Sequence, residues 1–275
     1  MIDVHCHLNF HAYDKDYDQV IKKAFEDEVT KIINVGTKID SSKKAIDLAK
    51  SYDNLYAIVG VHPHHADTLR LHLGQELDEN WIDELEKLAK NKKVVAIGET
   101  GLDYYSYKSN AIVDPKLQKE VFIKQIELSY KLKLPLQIHN RLAGSDIIEI
   151  LKAYKGDLLS PPGMFHCFSG NIDLLKKVLD LGFYVGFDGN ITYKGIAKGE
   201  DTNLSDLVKY APLDKIVTET DAPYLTPLPY RGSRNIPSYV IIVGKFIAKI
   251  KGLPENVVKK ETIQNANLLF PKLNL

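Results

Sequence analysis

Ile2-Asp3-Val4-His5-Cys6-His7-Leu8 is the first of a series of short, β-branched apolar runs, and it reads as a strand. Seven more runs of this kind follow, at Lys31–Gly36, Leu55–Val61, Val94–Glu99, Leu134–His139, Gly163–Phe168, Phe183–Phe187 and Lys215–Glu219. The stretches between them carry apolar residues at helical spacing, as in Ile82, Leu85 and Leu88, in Leu117, Val121 and Leu128, and in Ile172, Leu175 and Val178. Asp114-Pro115 reads as a helix entry, a capping carboxylate before a proline in the first turn. Strands that alternate with helices pair in parallel through right-handed crossovers, and eight repeats favour closure. The predicted fold is an α/β class (β/α)8 barrel, with Ser238–Lys251 and Pro254–Leu269 as its last helices. The chain has 275 residues, about the size of one such barrel, and no Gly/Ser linker or low-complexity tract divides it. A single domain over residues 1–275 is therefore expected.

Charge and cysteine usage narrow the function classes. Lys+Arg and Asp+Glu balance at 36 each, so no global field draws the protein to nucleic acid or to an anionic membrane. Polyanion binding must come from local groups or from bound metal. No charged-then-apolar leader and no long uncharged apolar run is present, which predicts a cytoplasmic protein without a membrane partner. Cys6 and Cys167 each follow a histidine and read as small buried thiols in a reducing compartment.

Strand side chains alternate between faces, so His5 and His7 project together while Cys6 points away. Two imidazoles so placed can share a divalent cation. Other ligand-type residues fall at equivalent places: Glu99 ends the fourth run, His139 the fifth, His166 lies near the end of the sixth and Asp221 just past the eighth. The carboxyl ends of barrel strands form one face, where active sites are built, so these six residues converge on one rim. Four imidazoles and two carboxylates exceed the needs of one tetrahedral zinc and suit two divalent ions, zinc, manganese or magnesium, bridged by a carboxylate. A pair of ions can hold a hydroxide and clamp attacking and leaving oxygens, the logic of phosphoester hydrolysis, and it also serves esters and amides. Neither a Gly-x-Ser-x-Gly elbow nor a phosphate-binding Gly-x-x-x-x-Gly-Lys-Ser/Thr loop occurs, so serine-nucleophile and nucleotide-driven chemistry lack support.

Several segments carry a family resemblance from end to end. They are Ile2 to Leu8, Gly60-Val61-His62-Pro63-His64, Ile97-Gly98-Glu99-Thr100-Gly101-Leu102-Asp103-Tyr104, Leu134 to Arg141, Phe165-His166-Cys167-Phe168-Ser169-Gly170, Thr218-Glu219-Thr220-Asp221-Ala222-Pro223-Tyr224-Leu225, Pro229 to Asn235 and Gln264 to Phe270. In this order they resemble the TatD family of metal-dependent deoxyribonucleases, similar to amidohydrolase-type barrels. The resemblance implies hydrolysis of DNA, with His5, His7, Glu99 and Asp221 around one ion and Glu99, His139 and His166 around the other. Glu99 would bridge, and Asp221 would also accept the proton of the attacking water.

Residues further out are read as substrate contacts. His62 and His64 end the third run and are expected to meet a substrate phosphate, against the bland alternative of a polar turn around Pro63. Only four arginines occur, and Arg141, Arg231 and Arg234 follow strands five and eight, where their planar forks suit phosphate oxygens; for Arg234 an ion pair with a carboxylate such as Glu219 is the competing role. Tyr104, Tyr105 and Tyr107 offer faces for stacking on bases, or a shield against water. His11, His65 and His72 read as surface. With few phosphates contacted, single strands or ends are the expected DNA substrate and exonuclease action the expected mode. Asn9 and Leu142 stand where the family pattern would carry aspartates, which bears on substrate preference. The rival readings are a dinuclear hydrolase of carboxylic esters or amides, such as a mischarged-tRNA deacylase, and a non-catalytic binding protein stapled by metal.

Overall fold

The computed structural model describes residues 1–70, 77–78, 80–107, 112–196 and 199–274. All eight expected strands form: β1 (Ile2–Cys6), β2 (Lys31–Val35), β3 (Leu55–Val59), β4 (Val94–Asp103), β5 (Leu136–Arg141), β6 (Gly163–Phe165), β7 (Tyr184–Phe187) and β8 (Ile216–Thr218). They make one sheet in the order β1 to β8, every pair parallel. Helices lie between them: α1 (Tyr17–Glu26), α2 (Ile39–Lys50), α3 (Asn80–Ala89), α4 (Pro115–Leu132), α5 (Gly144–Ala153), α6 (Ile172–Asp180) and α7 (Leu204–Tyr210), followed by α8 (Val240–Lys251) and α9 (Glu255–Leu269). The Asp114 carboxylate accepts from the Lys116 amide with Pro115 in the first turn, so the helix entry read from the sequence is present.

The seam between the last and first strands is closed chiefly by side chains and single bonds rather than by a ladder. The Thr218 hydroxyl donates to the Ile2 carbonyl at 3.0 Å, the Asp221 amide to the His5 carbonyl at 2.9 Å and the His7 amide to the Ala222 carbonyl at 2.7 Å. Buried Asp3 completes it, accepting from the Thr220 amide at 3.0 Å and meeting the Thr220 hydroxyl at 2.7 Å. The result is a nearly closed (β/α)8 barrel. Ile2, Val4, Ile33, Val35, Ile58, Met164 and Val217 form a buried cluster of their own with Leu269, Phe270 and Leu273. The C-terminal segment seals the floor, where the Leu273 carbonyl accepts from Lys31 and, at 3.3 Å, from Tyr56. Sealing one end leaves the opposite rim as the place for chemistry.

The fourth strand is longer than its apolar run suggests. It continues past Glu99 to Asp103, pairing Gly101 with His139 and Asp103 with Arg141. Gly101 permits this, because at φ +136° a β-carbon there would lie 2.1 Å from the His139 carbonyl oxygen. Glu99 thus stands within the strand rather than at its end, with Asp103 further toward the rim.

Candidate metal centre

The rim gathers the ligand-type residues into one buried cluster. His5 and His7 bring their Nε2 atoms to 3.0 Å of one another, across an irregularity in β1 register between Asp3 and Cys6. Glu99 Oε2 lies 3.7 Å and Asp221 Oδ1 3.5 Å from each of those nitrogens. On the other side, Glu99 Oε1 is 2.9 Å from both His139 Nδ1 and His166 Nε2, which are 3.3 Å apart. Bonds of about 2.1 Å in a tetrahedral site put neighbouring donors about 3.4 Å apart, so both groups have the spacing of a coordination shell. Glu99 turns one oxygen to each.

Tautomers sharpen this reading. His7 Nδ1 donates to the Val35 carbonyl at 2.9 Å, and His139 Nε2 to the Asp103 carboxylate at 3.1 Å. In the neutral rings, with those protons placed, His7 Nε2 and His139 Nδ1 carry lone pairs that face two carboxylates and further imidazoles. Acceptors converging on acceptors repel unless a cation lies among them. The donor set therefore fits divalent metal, and the His–carboxylate support matches what orients metal-bound imidazoles.

Electrostatics follows from partners more than from depth. Burial works against the charged form of Glu99, yet His62, His139 and His166 together hold its carboxyl well below the usual range. Asp103 behaves alike, lowered by His139 and His64 in spite of its burial. For His139 burial favours the neutral ring, but hydrogen bonds to Asp103 and Glu99 outweigh it and raise the group to about 9. Burial dominates at His62, lowered to about 4, and at His5, pushed well below the imidazole range with His166 beside it. A second set of carboxyls is driven the other way. Burial raises Asp3 to about 8 and Asp188 to about 7, and lifts Glu219 well above its ordinary value with Asp188 adding to it.

Around the centre, sequence expectation and structure diverge at identifiable residues. His62 Nε2 reaches Glu99 Oε1 at 3.4 Å and His64 Nε2 reaches Asp103 Oδ2 at 3.0 Å, so both histidines join the cluster rather than a bare turn. Asp103 escaped the sequence reading, although it follows Glu99 by four residues and so shares its face of a strand. It also accepts from the Tyr107 hydroxyl at 3.1 Å, and the Tyr107 ring packs edge-on to His64 at 4.9 Å. Tyr107 is the tyrosine that reaches the centre. Tyr104 instead spends its hydroxyl on Asp146 at 2.7 Å, and Tyr105 lies under the Arg141 guanidinium at 4.7 Å.

Arg234 forms a bidentate pair with Asp16, at 2.9 and 2.6 Å, and covers Tyr13, so its partner is neither Glu219 nor a free phosphate site. Arg231 lies over Tyr193 at 4.0 Å, outside the cluster. Glu219, read only as a possible arginine partner, is fully buried beside His166, its Oε1 3.9 Å from Nδ1. His11 is exposed as expected, His65 is half-buried rather than a surface residue, and His72 lies outside the described residues. Asn9 is structural, its amide donating to the Val35 and Ser41 carbonyls at 3.2 and 2.9 Å, while Leu142 is 42% exposed. Cys6 is buried and Cys167 partly so, and both are free thiols.

Comparison with known proteins agrees with this geometry. A family model described as TatD related DNase matches residues 2–271. The chain belongs to the TatD family. Among its relatives is YabD of Bacillus subtilis, named an uncharacterized metal-dependent hydrolase, 39% identical over 271 residues that cover 98% of each chain. Another of that description, YcfH of Escherichia coli K12, is 34% identical over 98% of this chain and 95% of its own. The crystal structure of YjjV, a TatD homologue of Escherichia coli K12, superimposes with a TM-score of 0.85 at 26% identity over 98% of both chains. As a TatD-family member the protein is a metal-dependent hydrolase.

Proposed function

We propose that this hydrolase is a deoxyribonuclease that cleaves DNA phosphodiesters with a metal-activated water, acting as an exonuclease on single strands or ends. The observation that carries the reading is the convergence of lone pairs from His5, His7, Glu99, Asp221, His139 and His166, in two groups that share Glu99. Two divalent ions bound there would acidify a water and polarise a phosphoryl oxygen. The chain's own groups do the rest. Asp221 is the more open carboxylate, its side chain 14% exposed against 5% for Glu99, and so is placed to take the proton of the attacking water. Its backbone has φ +54°, a left-handed conformation uncommon for a non-glycine residue, which directs the side chain into the rim. His64, which meets Asp103 at 3.0 Å, and Arg141, at the end of β5, would orient the phosphate in this reading. A balanced net charge and few exposed cations at the centre favour a short single strand over a long duplex.

Chelator-stripped protein, restored separately with Mg²⁺, Mn²⁺ or Zn²⁺, should degrade 5′- and 3′-labelled single-stranded DNA from one end. Asp221→Asn should slow this by about 10²–10⁴-fold, the usual weight of a general base. Full-rate cleavage by the variant would remove Asp221 from that role. Inactivity of the metal-loaded parent toward every DNA, together with turnover of an aminoacyl ester or amide, would replace the nuclease reading by the deacylase one.

A further inference from the structure

A groove of about 830 Å³ lies across the N-terminal turn of α2, lined by residues that neighbour the metal centre in sequence or in ring contact but by none of the six central residues. Its size falls in the range of about 300–1,000 Å³ typical of ligand clefts. Two lines of rings tie it to the centre. The Phe10 ring stacks on His7 at 4.3 Å and 12°, and Tyr224 meets Phe10 edge-on at 6.5 Å. On the far wall half-buried His65 lies 6.3 Å from His62, itself 3.4 Å from Glu99. Tyr224 is 54% exposed, three residues past Asp221, and its amide is bonded to the Asp221 carbonyl at 2.8 Å.

The groove is cationic where the whole chain is neutral. Lys38, Lys43 and Lys44 line it against the single carboxylate of Asp40. Lys43 turns to Glu84 at 3.4 Å, whereas Lys38 and Lys44 are exposed and have no ion pair among the described residues. Exposed cations beside an exposed aromatic face, one side chain away from a hydrolytic centre, match how single strands are held: backbone on lysines, bases on rings.

We infer that this groove seats the nucleotides next to the scissile phosphate of a single-stranded DNA substrate, one base on Tyr224 backed by Phe10 and the adjoining phosphates on Lys38 and Lys44. The inference rests on the deoxyribonuclease reading and adds the path of the strand. It also gives the neutral chain a local polyanion site, and places that site on the β1, β2 and β8 side of the rim rather than at Arg231 and Arg234.

The test uses metal-loaded Asp221→Asn protein and fluorescein-labelled oligo(dT), with anisotropy read across a salt series. Adding Lys38→Ala and Lys44→Ala together should flatten the slope of log affinity against log salt by about 1.4, two single-strand phosphate contacts' worth. Adding Tyr224→Ala should weaken binding by about fivefold or more, the low end of one lost base stack. With Asp221 restored, each set should cut the preference in kcat/KM for hexathymidylate over the dinucleotide TpT by about tenfold, because TpT leaves most of the groove empty. Unchanged salt slope, affinity and length preference in both sets would overturn the groove assignment while leaving the nuclease intact. A parent that cleaves neither hexathymidylate nor TpT with any of the three ions would overturn the nuclease reading, and the groove with it.

Discussion

Two sets of buried carboxyls share the mouth of this barrel and are shifted in opposite directions. Glu99 and Asp103 are held low; Asp3, Asp188 and Glu219 are pushed up. All five are nearly or wholly buried, so depth does not separate them. Neighbours do: several imidazoles surround the first pair at hydrogen-bond range, whereas the second set lies mainly among hydroxyls, amides, Cys167 and one another, with His166 3.9 Å from Glu219. A charged pair at the rim suits cation binding, while carboxyls with raised values, Asp3 at the seam and Glu219 and Asp188 on the amides of Cys167 and Asn190, add less negative charge around it.

The contrast is most exposed to test at Asp103. Asp103→Asn keeps the shape but weakens the acceptor that fixes the His139 tautomer, and should cost about 10–100-fold in metal affinity, measured by competition with a chromophoric chelator. In the parent, affinity should rise with pH toward about 9, because a proton held by His139 must leave before Nδ1 can ligate. Parent-like affinity in the variant would reduce Asp103 to a packing residue.

Asp3 probes the other set. Its folded value of about 8 lies above the unfolded carboxyl's 3.8, so the folded state holds a proton that the unfolded state has lost between those values. Stability from this group is present in full below pH 4 and is lost as pH rises toward 8. Asp3→Asn mimics the protonated carboxyl, so the unfolding free energy of the parent, from urea titrations, should fall relative to the variant by roughly 4 kcal/mol between pH 5 and pH 8, at about 1.36 kcal/mol per pH unit. A variant weakened equally at both pH values would mean that Asp3 acts as a charged acceptor, and the two sets would no longer differ.

Arg234 lies outside both sets and should show the smallest effect. Its pair with Asp16 is about one-third exposed on each side, so Arg234→Ala should cost no more than about 1 kcal/mol and leave DNA turnover near the parent value. A tenfold loss of turnover would return it to the substrate side.

The fold was legible because each strand is a compact apolar run and each helix keeps its period. The gathering of the six central residues was legible too, since five of them stand within three residues of a strand's carboxyl end and His-x-His marks the first. What escaped notice depends on pairing and packing between distant segments. The apolar run Val94–Glu99 stops at Glu99, yet β5 pairs onward from Thr100 and carries β4 to Asp103, hiding that residue's place on the Glu99 face. Glu219 and His65 were misjudged because burial at a loop depends on packing between distant segments, which periodicity does not report. The arginines' contacts were hidden for a related reason: chain position does not report that Arg234 pairs with Asp16 or that Arg231 lies over Tyr193.

The central claim is that Glu99 joins two cation sites in a chain whose chemistry depends on both. Metal content of reconstituted, dialysed protein, measured by mass spectrometry of the digested sample for the parent and for Glu99→Ala, tests it most directly. About two ions per chain in the parent, and about one or fewer in the variant with hydrolysis lost, is the predicted result. A parent that retains no ion, or a variant that retains as many as the parent, would contradict it.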